Sequence, residues 1–209
     1  RLLVAVVALL AVSACAGGTA VENPASQQKG PPVQSMQLLT PTQGWALTDA
    51  ALKWTDDGGL TWTDITPSGI AASAIKGLFF LDTRLGWVIA SGSTDARGAE
   101  EVLSFRTSDG GKTWASSPLS TEKTESRGAP AYIDFADPQH GWAVVKLVSS
   151  SNFSIGQLFR TVDGGATWSK LSIPIGDPIR FTTPSDGWTG GGPAGDKLMK
   201  YYFADLGLF

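Results

Sequence analysis

The amino-acid sequence predicts an all-β fold, specifically a β-propeller of four-stranded antiparallel blades. An octet of the form Thr-x-Asp-Gly-Gly-x-Thr-Trp occurs three times, and a Gly-Trp pair occurs four times and alternates with it. The 209 residues include 25 Gly and 8 Trp, which indicates many tight turns between aromatic-rich strands. The octets recur at intervals of roughly 50 residues, a repeat length that is typical of propellers and related arrays.

The first 14 residues predict a bacterial lipoprotein signal peptide. An apolar run at 2–12 follows Arg1 and precedes the small residues Ser13 and Ala14. This run is too short to cross a membrane as a helix, but it has the length of the apolar region of a signal peptide. The segment Val-Ser-Ala-Cys at 12–15 resembles the lipobox, which implies cleavage before Cys15 and acylation of that cysteine. The alternative is an ordinary secretory peptide in which the cysteine is incidental.

An acylated Cys15 would make membrane lipid a partner of the protein, because two or more acyl chains anchor a protein stably. We therefore expect the protein on the extracytoplasmic face of the cell membrane, or secreted if the cysteine is not acylated. Residues 15–33 are rich in Gly, Ala, Pro, Ser and Gln, a composition that predicts a flexible tether. The propeller domain is then expected to occupy residues 34–209.

Each repeat predicts four strands joined by short turns. The first strand is the apolar run before Gly-Trp, and the second begins at the tryptophan of that pair. The third strand runs into the octet, and the fourth leaves through its Thr-Trp end. The predicted first strands are 76–81, 131–135 and 178–182, the second strands begin at Trp45, Trp87 and Trp142, and the third strands include 103–107 and 158–161.

The octet predicts a self-contained turn. Glycine tolerates the positive φ angles of tight turns, and Asp and Thr side chains form hydrogen bonds with nearby backbone groups. We therefore expect Asp57, Asp109 and Asp163 to stabilise turns rather than to act in catalysis. The tryptophan that ends each octet is expected to pack against its own blade.

The three octets resemble the Asp-box, or BNR, motif of sialidases, sortilin-type receptors, certain xyloglucanases and the photosystem II assembly-factor family, and they are most similar to the last of these. The resemblance covers roughly residues 36–203 and implies a propeller whose Asp boxes lie on the rim, away from any chemistry. The matching residues are Thr55, Asp57, Gly59, Thr61 and Trp62; Thr107, Asp109, Gly111, Thr113 and Trp114; and Thr161, Asp163, Gly165, Thr167 and Trp168.

Composition excludes several classes of function. Sixteen Lys plus Arg against 19 Asp plus Glu give a net charge of −3, which lacks the basic stripe of a nucleic-acid-binding protein. One Cys and one His leave no set of residues for a structural metal site or an internal disulfide. We therefore expect no nucleic acid, no metal and no cofactor.

Additional residues between the second and third strands predict where ligands bind. The spacing from the Gly-Trp tryptophan to the octet tryptophan is 17, 27 and 26 residues in the three repeats, so 91–101 and 148–156 are expected to form loops. Together with the blade connection 116–130, they are expected on the face opposite the Asp boxes, where loops on a rigid scaffold can hold binding groups. Solvated loops without a function are the alternative. The candidate binding residues are Arg97, Glu100, Glu101, Lys123, Arg127, Asn152 and Phe153.

The function predicted from these features is that of a non-catalytic exported lipoprotein whose propeller binds a protein partner or assists assembly at the membrane surface. No catalytic residue is predicted, because neither the arginine cluster of sialidases nor two separate acidic loci of a glycosidase are visible in the sequence. The alternative is a carbohydrate-active propeller of the xyloglucanase or sialidase type, acting as a glycoside hydrolase or a glycan-binding module. A purely architectural chain is the second alternative.

The repeats predict three full blades and a partial fourth that starts at Asp177. Residues 203–209 keep Asp and Gly at octet spacing but lack the Thr and Trp, and closed propellers use four to eight blades. We therefore expect a truncated propeller. Self-association through the open blade edge is the alternative way to complete it.

Overall fold

The all-β prediction is confirmed by the computed structural model, which describes residues 31–120, 122–126, 128–148, 154–190 and 198–202, the last of these by backbone only. All described strands lie in one compact unit, Pro31–Phe209. Within these ranges the only helix is a single 3-10 turn, Ala72–Ala74. None of the described helical structure is long and apolar enough to span a membrane.

The strands form four consecutive antiparallel meanders, in which each strand pairs with its neighbours along the chain. Three sheets have four strands and the last has three, so three full blades and a partial fourth are confirmed. Blade 1 contains β1 Val33–Leu38, β2 Gly44–Thr48, β3 Leu52–Thr55 and β4 Thr63–Asp64; blade 2 contains β5 Ile75–Phe80, β6 Gly86–Thr94, β7 Glu100–Thr107 and β8 Ala115–Pro118; blade 3 contains β9 Ala131–Phe135, β10 Gly141–Lys146, β11 Gly156–Thr161 and β12 Ser169–Leu171; blade 4 contains β13 Ile179–Phe181, β14 Asp186–Gly190 and β15 Leu198–Tyr202.

The expected loop at 91–101 is instead a lengthened hairpin, so that prediction is wrong over most of its length. Strand β6 continues to Thr94 and β7 begins at Glu100, which places Glu100 and Glu101 on a strand. Asp95 closes the short turn, because its side chain accepts hydrogen bonds from the backbone N–H groups of Arg97 and Ala99, both at 2.9 Å. The two strands keep pairing backbone groups up to this turn, which stabilises them more than a solvated loop would.

The Gly-Trp tryptophans of blades 1 to 3 stack on the next blade. Each meets a phenylalanine at the end of the first strand of the following sheet, so aromatic contacts join successive blades. The pairs are Trp45 with Phe80, Trp87 with Phe135 and Trp142 with Phe181, with ring centroids 6.5, 3.6 and 3.5 Å apart.

The tryptophans of the second and third octets pack against the same phenylalanine rings. Trp114 meets the edge of Phe80 at 6.3 Å and Trp168 meets the edge of Phe135 at 6.1 Å. Trp114 also donates a hydrogen bond from Nε1 to the carbonyl oxygen of Ile65 in blade 1, at 2.8 Å. Trp114 therefore packs against Phe80 of its own blade, as expected, and its ring also reaches blade 1, so it lies at the boundary between two blades.

Trp62, the first octet tryptophan, has different surroundings. Its side chain is 39% exposed, and its Nε1 donates to the carbonyl oxygen of Gly59 within its own turn at 3.1 Å. No described strand precedes blade 1, and Leu38 stands where the later blades have phenylalanine. The octet indoles are therefore equivalent only where a blade precedes them.

Candidate functional site

The Asp boxes are repeated hydrogen-bonded turns. In blade 2, Thr107 Oγ1 donates to Asp109 Oδ1 at 2.8 Å and accepts from the N–H of Gly111 at 2.9 Å. Asp109 also accepts from the backbone N–H and the hydroxyl of Thr113, at 2.9 and 2.7 Å. The same contacts recur around Asp57 and Asp163 within 0.1 Å.

These turns hold their carboxylates in the ionised form. Hydrogen bonds from Thr113 and Thr107 lower the pKa of Asp109 to about 2, and those from Thr61 and Thr55 do the same for Asp57. Both oxygens of each carboxylate are used within the turn. A strongly lowered pKa suits a fixed hydrogen-bond acceptor rather than a general acid.

The ends of the sheets away from the Asp boxes form what we call the hairpin face, which consists of residues 91–101, the described parts of the blade 2–3 connection (116–120, 122–126 and 128–130) and the strand ends at 147–148 and 154–156. Glu100 lies at its centre. Its carboxylate is 2.7 Å from Lys76 Nζ and accepts hydrogen bonds from Ser126 Oγ at 2.7 Å, Ser91 Oγ at 3.2 Å and the N–H of Gly128 at 3.2 Å. One side chain therefore joins the first strand, the hairpin and the blade connection.

Backbone hydrogen bonds support this junction. Glu100 and Thr124 exchange N–H to carbonyl bonds of 2.8 and 2.7 Å, and the N–H of Val148 in the next blade donates to the carbonyl of Glu125 at 3.1 Å. The connection between blades 2 and 3 is thereby attached to the hairpins of both. Parts of the blade 2 hairpin, the blade connection and the end of the blade 3 hairpin therefore lie side by side at Glu100, Thr124, Glu125 and Val148.

Glu100 itself is a structural group rather than an open binding residue. The side chains of Lys76 and Glu100 are only 4% and 12% exposed. Burial acts to raise the pKa of Glu100, but the contacts with Lys76, Ser126 and Ser91 outweigh it and lower the pKa below its usual value. The sequence singled out Glu100 but not its partners, although a lysine inside the apolar first strand Ile75–Phe80 was a signal that could have been used.

Glu101 and Lys123 line the same shallow depression of the hairpin face. The depression has a volume of about 340 Å³ and is lined by Ser93, Glu101, Pro118, Ser120, Glu122 and Lys123. Glu101 accepts a hydrogen bond from Ser93 Oγ at 3.1 Å, while Lys123 is exposed. The structure thus brings together two of the predicted binding residues, one acidic and one basic.

The remaining predicted residues are not part of this depression. Arg97 is exposed at the tip of the blade 2 hairpin, and it does not line the depression. Arg127, Asn152, Phe153 and the predicted lipidation site Cys15 lie outside the described residues.

A cavity of about 410 Å³ opens between the first strands of the four blades. Its lining includes Trp45, Lys76 and Tyr132. Lys76 therefore connects the cavity to the Glu100 junction of the hairpin face. Among the described residues, no group of three or more His, Cys, Asp or Glu side chains could hold a metal ion.

A second ion pair joins blades 3 and 4. Asp134, which is buried, lies 3.0 Å from Arg180 Nη1, and it accepts a hydrogen bond from the N–H of Phe181 at 2.5 Å. Burial raises the pKa of Asp134, while the hydrogen bond from Phe181 and the charge of Arg180 act against this rise. The carboxylate thus serves the contact between blades.

Comparisons with known proteins concern the fold. No protein-family model matches the chain, and no curated protein matches it. A GH74 enzyme of Niastella koreensis is similar in structure, with a TM-score of 0.52 and 14% sequence identity over 76% of this chain. This chain spans 26% of the length of that enzyme.

Two YCF48 structures are also similar at low identity. YCF48 bound to D1 peptide has a TM-score of 0.26 and 16% identity, covering 82% of this chain and 92% of that chain. YCF48 from Cyanidioschyzon merolae has a TM-score of 0.36 and 17% identity, covering 85% and 69%. Membership of an Asp-box family and the lipoprotein signal stay predictions. The blades and the likeness to the GH74 enzyme together show that the described residues form part of a β-propeller.

Proposed function

We propose that this protein is a non-catalytic exported lipoprotein whose propeller acts as a protein-binding or assembly scaffold at the membrane surface. The observation that carries the proposal is the construction of the hairpin face. Glu100 and Lys76 hold its backbone from within, while Glu101 and Lys123 line an open depression on its surface. A rigid support with charged groups at its surface is the usual arrangement of a binding site on a scaffold.

The contacts of the charged groups support binding rather than glycoside hydrolysis. Hydrolysis of glycosides ordinarily needs two carboxyl groups that face each other across a sugar. Glu100 and Glu101 are adjacent on strand β7, so their side chains project to opposite faces of the sheet. Glu100 is also engaged by Lys76, which leaves it poorly placed to transfer a proton.

The depression suits a polar segment of a protein partner. Glu101 and Glu122 supply acidic groups and Lys123 a basic group within one shallow surface. Such mixed charges contribute specificity and orientation more than affinity. Acylation of Cys15 would keep this surface within reach of membrane proteins.

The test compares capture of solubilised envelope proteins by the wild-type chain and by the charge reversals Glu101→Lys and Lys123→Glu. Each reversal is expected to weaken capture of the same specific protein about tenfold. The changed side chain would face a group of the same charge on the bound protein, and like charges across an interface repel. Lys112→Glu, an exposed change at an Asp box on the opposite face, is the matched control and should leave capture unchanged.

Two results would contradict the proposal. Equal loss with Lys112→Glu would show that the hairpin face is not the binding surface. Hydrolysis of xyloglucan or sialosides by the wild-type chain would favour the carbohydrate-active alternative. The anchor is tested on the same membranes, where Cys15→Ala should move the protein into the soluble fraction.

A further inference from the structure

The cavity between the first strands of the four blades has mostly apolar walls. We call it the central cavity, and its volume is about 410 Å³. A cavity of this size can hold a small organic molecule. Each blade contributes to the apolar part of the lining, which includes Leu47, Ile75, Leu78, Ile133 and Ile179. These walls favour a ligand with an apolar body.

The charges at the central cavity are already balanced. Lys76 is the only charged residue among the described residues that line it, and its Nζ lies 2.7 Å from the carboxylate of Glu100. A charged ligand would therefore bring a second charge to a site whose only ion pair is complete. Because burial of an unpaired charge is costly, the central cavity favours a neutral ligand.

Trp45 is displaced from the position that its counterpart holds in the next blade. Trp87 lies 3.6 Å from the phenylalanine on which it stacks, whereas Trp45 lies 6.5 Å from Phe80. Trp54 pairs with Trp45 in the register at which Arg106 pairs with Trp87, and the Trp54 ring lies nearer to Phe80, at 5.5 Å. Trp45 lines the central cavity, whereas Trp87 lines the space between blades 2 and 3.

The displaced indole leaves a hydrogen-bond donor at the central cavity. Trp87 Nε1 donates to the carbonyl oxygen of Gly164 at 2.8 Å, but Trp45 Nε1 is buried and has no acceptor within the described ranges. The ammonium of Lys76 has three N–H groups. The described residues supply it with two acceptors, its paired carboxylate at 2.7 Å and the carbonyl oxygen of Ala129 at 3.4 Å. Since a buried donor without an acceptor is costly, a ligand that carries an acceptor oxygen is favoured.

We propose that the central cavity binds a small neutral molecule with an apolar body and one carbonyl oxygen, and that Trp45 Nε1 donates a hydrogen bond to that oxygen. Lys76 Nζ supplies a further donor at the same cavity. Aromatic ketones and esters have this chemistry. The site does not use the depression lined by Glu101 and Lys123, so it stands independently of the proposed function.

Titration followed by ligand-observed NMR tests the proposal with three probes of similar shape, on the full chain carrying Cys15→Ala so that it is not acylated. Acetophenone has the carbonyl oxygen, α-methylstyrene has a CH₂ group in its place, and benzoate carries a charge. We expect acetophenone to bind with a Kd of about 1 mM, an affinity that a ligand of this size can reach. It should bind about fivefold more tightly than α-methylstyrene, the effect of one hydrogen bond, and about tenfold more tightly than benzoate, whose charge finds no partner.

A variant then tests the donor. Trp45→Phe keeps an aromatic ring but removes the N–H group, so the preference for acetophenone over α-methylstyrene should disappear. A change in cavity size alone would alter both affinities and leave their ratio. Trp62→Phe is the matched control and should keep the preference, because Trp62 is 39% exposed and its Nε1 donates within its own turn.

The wild-type sequence provides a second readout that does not depend on the folding of a variant. In a ¹⁵N-labelled chain, one indole N–H signal should move with acetophenone and not with α-methylstyrene. The proposal would be overturned if acetophenone did not bind at about 10 mM, well above the expected Kd, or if it bound no more tightly than α-methylstyrene or benzoate. It would also be overturned if Trp45→Phe kept the full preference. If Trp45→Phe fails to fold, the indole signals decide.

Discussion

The glycine of each Gly-Trp pair lies beneath a side chain of the preceding strand. A Cβ atom added at Gly86 or Gly141 would overlap the ring of Phe80 or Phe135. Both rings are nearly inaccessible to solvent and are held by the neighbouring tryptophans. The glycine is therefore required by close approach of the ring rather than by an unusual backbone angle.

Gly141→Ala is expected to lower the free energy of unfolding by about 1–3 kcal/mol, the usual cost of overpacking a core. Chemical denaturation with both variants and the wild type measures it. Gly190→Ala is the matched control, since Gly190 also lies in a strand and no atom of the described residues lies within 4 Å of an added Cβ. Equal stability of the two variants would show that Phe135 moves aside at no cost.

At the scale of elements, the blade 2 hairpin and the blade 2–3 connection depend on one ion pair. Lys76 comes from β5 and Glu100 from β7, and Ser126 of the connection donates to the same carboxylate. Removing one member of a buried pair leaves the other charge without compensation. The hairpin face should therefore lose its order when the pair is broken.

Glu100→Gln is expected to destabilise the fold by about 3 kcal/mol, and hydrogen exchange should rise in residues 122–130. Glu101→Gln is the control, because its carboxylate contacts Ser93 at the surface. Thermal melting and exchange measured by mass spectrometry give the two readouts. If Glu100→Gln left hydrogen exchange in the blade 2–3 connection unchanged, the ion pair would not be what keeps the hairpin face ordered.

Across the whole molecule, all three Asp boxes make the stability of the fold depend on pH in the same way. The pKa of Asp57, Asp109 and Asp163 is about 2 in the folded protein, whereas an unperturbed aspartate has a pKa of about 3.9. A lowered pKa in the folded state means that the unfolded chain binds protons more readily in this range. The resulting stability is fully present only above about pH 5 and is lost as pH falls through 4 toward 2.

We expect the melting temperature to fall steeply between about pH 4 and pH 2, in the window set by the three boxes. Differential scanning calorimetry at a series of pH values measures this fall. Asp109→Asn should be less stable at pH 7 and should show a shallower fall, because one of the titrating groups is gone. If the melting temperature of Asp109→Asn fell with pH as steeply as that of the wild type, protonation of the Asp boxes would not control the stability of the fold.

The octets and Gly-Trp pairs determined the local structure of this protein. Thr107, Asp109 and Thr113 bond to one another across two to four residues, so the turn is specified by consecutive side chains. The first strands predicted at 131–135 and around 76–81 and 178–182 follow for the same reason, since alternating apolar residues and adjacent turns are properties of the sequence itself.

Only the tertiary structure decided how the blades meet and which charges pair. Lys76, Glu100 and Ser126 are 24 and 26 residues apart along the chain, and Trp87 stacks on Phe135 in another blade. These contacts depend on where strands begin, on a bulge in β5 and on the packing of one sheet against the next. Side chains far apart in sequence leave no local pattern, so their meeting is a result of the assembled blades.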